Sequence, residues 1–183
     1  RLHIISLCFQ GGDFDVESLV LVLGLDETAK WLRDHLPSTF EPGIMHGDYQ
    51  FANVMYKHGK PAELAAIIDW EMATIGDPLL DLGWVLVGWP PEGDAMKYAR
   101  YLDYAGMPSR DAMLEHYANV SGRDVSAVDY YVILARFKLA IVLEASVARH
   151  AKGEADDRVA RFGPIALELM EFAASLSHTT SYR

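Results

Sequence analysis

An α+β fold is what the sequence predicts, with a small β-element carrying polar loops followed by a mostly helical remainder. Three observations lead there. Between Gly43 and Asp69, short apolar runs alternate with polar loops and turn residues. From Asp77 onward, helix-start and helix-stop signals follow one another. The 183 residues, 51% hydrophobic and 23% charged, hold enough apolar material for one core.

Residues 1–25 resist assignment: Leu2–Phe9 is a short apolar run with no signal-peptide cleavage pattern after it, and Gly11-Gly12 is the only glycine pair. The chain starts at Arg1 rather than methionine, as a fragment of a longer protein would. Asp26 is placed to cap a helix carrying Trp31, Leu32, His35 and Leu36, which Pro37 forbids from continuing. Ile44–Met45, Val54–Tyr56 and Leu64–Ile68 then read as short strands, two of them forming a hairpin, with His58-Gly59-Lys60-Pro61 as a turn.

Asp77-Pro78 starts a helix that runs to about Gly88, because the carboxylate can accept orphan N–H groups and proline suits the first helical position. Further helices are expected at Asp94–Ala105, Ser109–Ser121 and Asp124–Ala151, separated by Gly106-Met107-Pro108 and by Gly122. A last one begins near Pro164 and frays before His178. The apolar stretch Tyr130–Leu143 contains Arg136 and Lys138 and falls short of the roughly 20 residues that span a bilayer, so it reads as a buried helix. Arg136, Lys138 and Arg149 are expected to be solvated or ion-paired.

A net charge of −10 and a pI near 5.0 argue against a protein that neutralises nucleic-acid phosphates or anionic lipid. Neither nucleic acid nor membrane is therefore an expected partner. The single cysteine, Cys8, cannot form an intrachain disulfide and fits a reducing compartment such as the cytoplasm.

The chemistry is concentrated in two segments. His46-Gly47-Asp48-Tyr49-Gln50-Phe51-Ala52-Asn53 places an aspartate five residues before an asparagine, which is the kinase catalytic-loop spacing. Phosphoryl transfer needs a carboxylate to orient a hydroxyl and accept its proton, and a neutral oxygen for magnesium nearby. Asp48 supplies the first and the Asn53 side-chain carbonyl the second. Leu64-Ala65-Ala66-Ile67-Ile68-Asp69-Trp70-Glu71 then delivers Asp69 at a strand end, where kinases place a second metal-binding aspartate. A lone H-x-D is common by chance, and an isolated loop aspartate is more often a turn or cap residue than a catalyst. The argument rests on Asp48, Asn53 and Asp69 together.

The pattern H-G-D-x-x-x-x-N, then I-D-W-E, then G-D-P-x-x-D-L, resembles the aminoglycoside phosphotransferase and choline kinase group of the protein-kinase-like superfamily. Within it, Ile44–Pro90 looks most like the phosphotransferase domains associated with acyl-CoA dehydrogenases. The resemblance implies the C-terminal lobe of a kinase-like fold, with catalytic Asp48 and metal ligands Asn53 and Asp69, acting with magnesium and ATP or GTP on the hydroxyl of a small acceptor. It also implies that His46 and Asp81 support the loop, and it permits a homo-oligomer and a functional link to an acyl-CoA dehydrogenase.

Glu71 is a candidate contact to metal-bound water. Trp84 and Trp89 are candidate walls of an acceptor pocket, with core packing the better-supported role. Gly47 replaces the arginine of many protein kinases, and Asp69-Trp70-Glu71 replaces D-F-G. No glycine-rich loop, strand lysine or pairing glutamate is recognisable before Ile44, so residues 1–183 are expected to be one catalytic lobe without its nucleotide-covering lobe. Two rivals follow: a non-catalytic kinase-like binding domain, and a metal-dependent phosphoesterase using His46, Asp48 and Asp69 as ligands.

Overall fold

The structure, a computed structural model, describes residues 24–89 and 105–182. Helix α1 spans Leu25–Asp34 and strand β1 spans Gly43–Met45. Strands β2 (Val54–Tyr56), β3 (Leu64–Ile67) and β4 (Thr74–Gly76) precede helix α2 (Leu79–Val87). Helices α3 (Arg110–Ser121), α4 (Val128–Ala151) and α5 (Phe162–Thr179) complete the order.

The α+β arrangement is as the sequence predicts. Strands β2 and β3 form the antiparallel hairpin, with Val54 opposite Ile67. Strand β4 was not expected; it pairs antiparallel with β1, Ile44 opposite Ile75, and the His46–Asn53 segment follows β1 while α2 follows β4. Between β4 and α2 the Asp77 carboxylate accepts the N–H of Leu79 at 3.0 Å, the helix-start bond that the sequence anticipates.

Other boundaries move, each for a local reason. Gly24, in the left-handed region, precedes α1, so Asp26 lies inside the first turn and makes no cap bond. Asp124 accepts the N–H and hydroxyl of Ser126, building a turn that delays α4 to Val128. Helix α5 starts at Phe162, with Pro164 inside its first turn where no intrahelical N–H is needed, and runs past His178 to Thr179. The helix expected at Asp94–Ala105 lies, apart from Ala105, outside the described residues, as do residues 1–23 with Cys8.

The core is built on α4, which packs along α5 on one side and α2 on the other, while α1 touches both α4 and α5. Every residue from Tyr130 to Phe137 is buried, Arg136 included. Its guanidinium sits 4.7 Å from the centre of the Phe172 ring on α5, so of the two expected states, solvated or ion-paired, the solvated one does not hold. In α2, seven apolar side chains from Leu79 to Val87 are buried, each contributing about 1.5–3 kcal/mol of hydrophobic stabilisation. Helix α2 is therefore a fixed post for the loops beside it. No helix among the described residues is long and apolar enough to cross a membrane.

Candidate active site

Strand β1 delivers His46, Gly47 and Asp48 into a tight loop that closes through a short 3₁₀ turn at Phe51–Asn53 and leads into β2. Gly47 has φ +85°, and a Cβ there would stand 2.5 Å from the Met72 carbonyl oxygen. Glycine at this position lets the His46–Asp48 segment lie directly on the backbone that follows Asp69.

Asp81, on the first turn of α2, accepts the N–H of His46 at 2.6 Å through Oδ2 and that of Gly47 at 2.8 Å through Oδ1. Burial pushes its carboxyl pKa up, and these two bonds, together with nearby positive charge, oppose the shift. The bond from Asp81 to the loop that the sequence suggested is thus present in the geometry.

His46 is buried and uses both ring nitrogens. Nδ1 faces the Asp48 N–H at 3.3 Å, and Nε2 lies 2.8 Å from the Ile68 carbonyl oxygen. With Nδ1 accepting, Nε2 carries the proton and donates it to Ile68. The Ile68 N–H in turn donates to the Asn53 carbonyl at 3.0 Å. Ile68 is thereby held at both backbone groups, once from each end of the His46–Asn53 loop, and Asp69 is the next residue. Asp69 adopts φ 66°, ψ 55°, the only non-glycine residue with positive φ among those described. Its side chain is exposed.

Asn53 donates from Nδ2 to the Asp48 carbonyl at 2.9 Å and to Asp48 Oδ2 at 3.1 Å. Its amide nitrogen faces Asp48, which leaves the side-chain carbonyl oxygen as the atom for a cation. That oxygen and the Asp69 carboxylate are donors of the kind magnesium takes, a few protein oxygens with the remaining positions left to phosphate and water. Among the described residues no group of three or more His, Cys, Asp or Glu side chains converges as a metal cage.

Gln50 was not singled out from sequence. Its Nε2 lies 3.0 and 3.1 Å from the two Asp48 carboxylate oxygens, so the carboxylate is steadied from two sides. A polar side chain two residues after the aspartate was the available signal. Trp70 stacks obliquely on His46, centroids 4.8 Å apart, and donates from Nε1 to the Ile67 carbonyl at 2.8 Å. Glu71 is exposed on the next turn.

Trp84 and Trp89 are 6% and 7% exposed and belong to the core. Trp89 packs on Phe51 with centroids 6.3 Å apart and donates to the Pro108 carbonyl at 3.0 Å. Core packing is the role their burial shows, while Trp84 also lines a small pocket beside Gln50 and Phe51.

The sequence model of the phosphotransferase enzyme family matches residues 12–116. The chain is 26% identical over 178 residues to the chicken (Gallus gallus) acyl-CoA dehydrogenase family member 11, covering 92% of this chain and 23% of the relative. It is 26% identical over 164 residues to the human (Homo sapiens) protein of the same name, covering 85% and 21%. The mouse (Mus musculus) acyl-CoA dehydrogenase family member 10 is 24% identical over 165 residues, covering 87% and 15%. The chain therefore spans less than a quarter of the length of these relatives. In fold it is similar to a solved structure from Ralstonia eutropha assigned as an aminoglycoside phosphotransferase, with a TM-score of 0.72 at 24% identity, covering 94% of this chain and 51% of that one.

Proposed function

The chain belongs to the phosphotransferase enzyme family, and from that premise we propose that it is the catalytic lobe of a small-molecule kinase that transfers the nucleotide γ-phosphate to an acceptor hydroxyl. The observation that carries the reading is the way Asp48, Asn53 and Asp69 are tied together. Asn53 is bonded to Asp48, and Ile68, next to Asp69, is strapped to both His46 and Asn53.

Asp48 orients the hydroxyl and takes its proton as the oxygen forms its bond to the γ-phosphorus. The bond from that phosphorus to the β-bridging oxygen breaks, and the nucleoside diphosphate leaves. Asn53 and Asp69 would hold magnesium, which supplies charge neutralisation to the transferring group. Gln50 and the Asp48 N–H bond to His46 keep the carboxylate in place for this task. Positioning and electrostatics supply nearly all the catalysis in such a transfer, so rigid support of one carboxylate has a large effect.

The names of the relatives favour an acceptor of hydroxyacyl type and a functional link to an acyl-CoA dehydrogenase. We assign the nucleotide-covering role to a second lobe outside the described residues, seated on the hairpin, where Met55, Tyr56 and Leu64 are each about half exposed. The phosphoesterase reading is disfavoured because both nitrogens of His46 are used inside the protein, leaving no lone pair for a metal.

The test is transfer of labelled phosphate from magnesium–ATP to a panel of hydroxyacyl thioesters, amino alcohols and aminoglycosides, using protein that carries both lobes. Transfer to a hydroxyacyl compound supports the reading. Nucleotide binding without transfer to any acceptor would favour a binding domain, and release of phosphate from phosphoesters a phosphoesterase.

A further inference from the structure

Asp77 and Asp81 stand one helical turn apart where α2 begins, and only Asp81 touches the catalytic loop. Asp77 is 8% exposed and uses both carboxylate oxygens inside the protein. Oδ1 accepts the Leu79 N–H at 3.0 Å, and Oδ2 accepts the hydroxyl of Tyr131, on α4, at 2.8 Å.

Tyr131 touches α2 a second time. A Cβ at Gly83 would stand 2.7 Å from the Tyr131 carbonyl oxygen, so the two helices meet there backbone to backbone. Seven buried apolar side chains already set how the body of α2 packs on α4. The bond from Tyr131 to Asp77 adds a tie ahead of the helix start, on the segment that joins β4 to α2. Asp81 lies between the two, at positions 77 and 83, and is the residue that receives the His46 and Gly47 N–H groups.

We propose that Tyr131 is a positioning residue for the catalytic loop, its hydroxyl acting through Asp77 to fix the start of α2, from whose first turn Asp81 holds His46 and Gly47. The inference rests on the reading of Asp48 as the catalytic carboxylate. Burial, with a smaller contribution from the bond to Asp77, pushes the Tyr131 hydroxyl pKa far up, so it remains a donor over the whole working pH range. Without that hydroxyl, Asp77 Oδ2 loses its donor from α4. The segment ahead of α2 is then no longer tied to α4 by a directional bond, and its freedom to shift reaches Asp81 one turn further on.

The experiment is Tyr131→Phe, which removes one oxygen and keeps the ring, made in protein carrying both lobes. Amide hydrogen exchange read residue by residue should show His46 and Gly47 accelerated about tenfold or more beyond any acceleration of Ile133–Phe137 on the substituted helix. Turnover should fall about tenfold with KM for magnesium–nucleotide unchanged, because the lost element is alignment and not binding. Asp77→Asn, which retains size and weakens the bond, should shift the same amides in the same direction by less. Unchanged protection at His46 and Gly47, or equal acceleration of the loop and of α4, would overturn the proposal by reducing Tyr131 to core packing. If the wild-type protein phosphorylates no acceptor, the functional reading fails, while the exchange pattern still decides whether Tyr131 positions the loop.

Discussion

A methyl group added at Gly47 would stand 2.5 Å from the Met72 carbonyl oxygen, whereas ordinary van der Waals contact begins at 3.4 Å, so about 0.9 Å must be found by movement. The φ of +85° adds a left-handed penalty of about 1–2 kcal/mol for an L-residue. Overpacking of this kind costs a further ~1–3 kcal/mol. The sum for Gly47→Ala is roughly 2–5 kcal/mol, a drop in melting temperature of at least about 4 °C for a domain of this size. The part that must yield is backbone, three residues beyond Asp69, and a displacement near 1 Å in a phosphoryl-transfer site costs about 100-fold in turnover. Gly122→Ala is the control, since Gly122 also has positive φ, 71°, but nothing within 4 Å of an added Cβ. It should cost only the backbone penalty of about 1–2 kcal/mol and leave turnover alone. Calorimetric melting and phosphate transfer read both effects. Gly47→Ala with wild-type melting and turnover would refute the claim that the loop is pressed against the Met72 backbone.

Asp48→Asn should leave the fold nearly unchanged and lower turnover by about 100-fold or more, measured by steady-state transfer beside circular dichroism. Asp69→Ala should remove productive magnesium–nucleotide binding in a calorimetric titration while barely changing the melting temperature. Asp77→Ala should instead cost stability, about 1 kcal/mol for the helix-start bond and about 1–3 kcal/mol more for the buried Tyr131 hydroxyl left without its acceptor, read from denaturant midpoints. Asp81 has its pKa raised by burial, so folding favours its protonated form. The stabilisation this gives is complete below the unfolded aspartate pKa of about 3.9 and is lost as pH rises through the higher folded value. The wild-type unfolding free energy minus that of Asp81→Asn should accordingly decline over that window, and a flat or rising difference would contradict the assignment.

What could be read from the sequence was what short spacing encodes. The loop from His46 to Asn53, the hairpin, the Asp77 helix start and the buried run after Tyr130 each depend on neighbours a few residues apart. The misses have longer reach. Strand β4 is three residues long and finds its partner only at Gly43–Met45, so no local pattern announces it. The solvated alternative for Arg136 gives way because Phe172, on another helix, supplies a ring for its guanidinium. Gly47 was read as the absence of an arginine, whereas its use is the close approach of Met72. Asp124 carried a true helix-start composition but spent its carboxylate on Ser126, and α4 waited for Val128. Tyr131 was indistinguishable from its apolar neighbours because its partner lies 54 residues away.

The bonds that hold the loop also differ in sequence span from those that build the core. His46 and Gly47 reach Asp81 across 35 and 34 residues, and His46 reaches Ile68 across 22, whereas α4 and α5 are consecutive helices joined by a short connection. Chain closure over longer separations comes at a larger entropic cost, so the α4–α5 pair is expected to form early and the catalytic loop late in folding. Substitutions at Gly47 or Asp81 should then speed unfolding while leaving the refolding rate almost untouched, and substitutions at Ile133 or Leu169 should slow refolding. Stopped-flow chevrons would show the two classes on opposite arms. A protein arranged this way lets its chemistry vary at positions that the folding pathway does not consult.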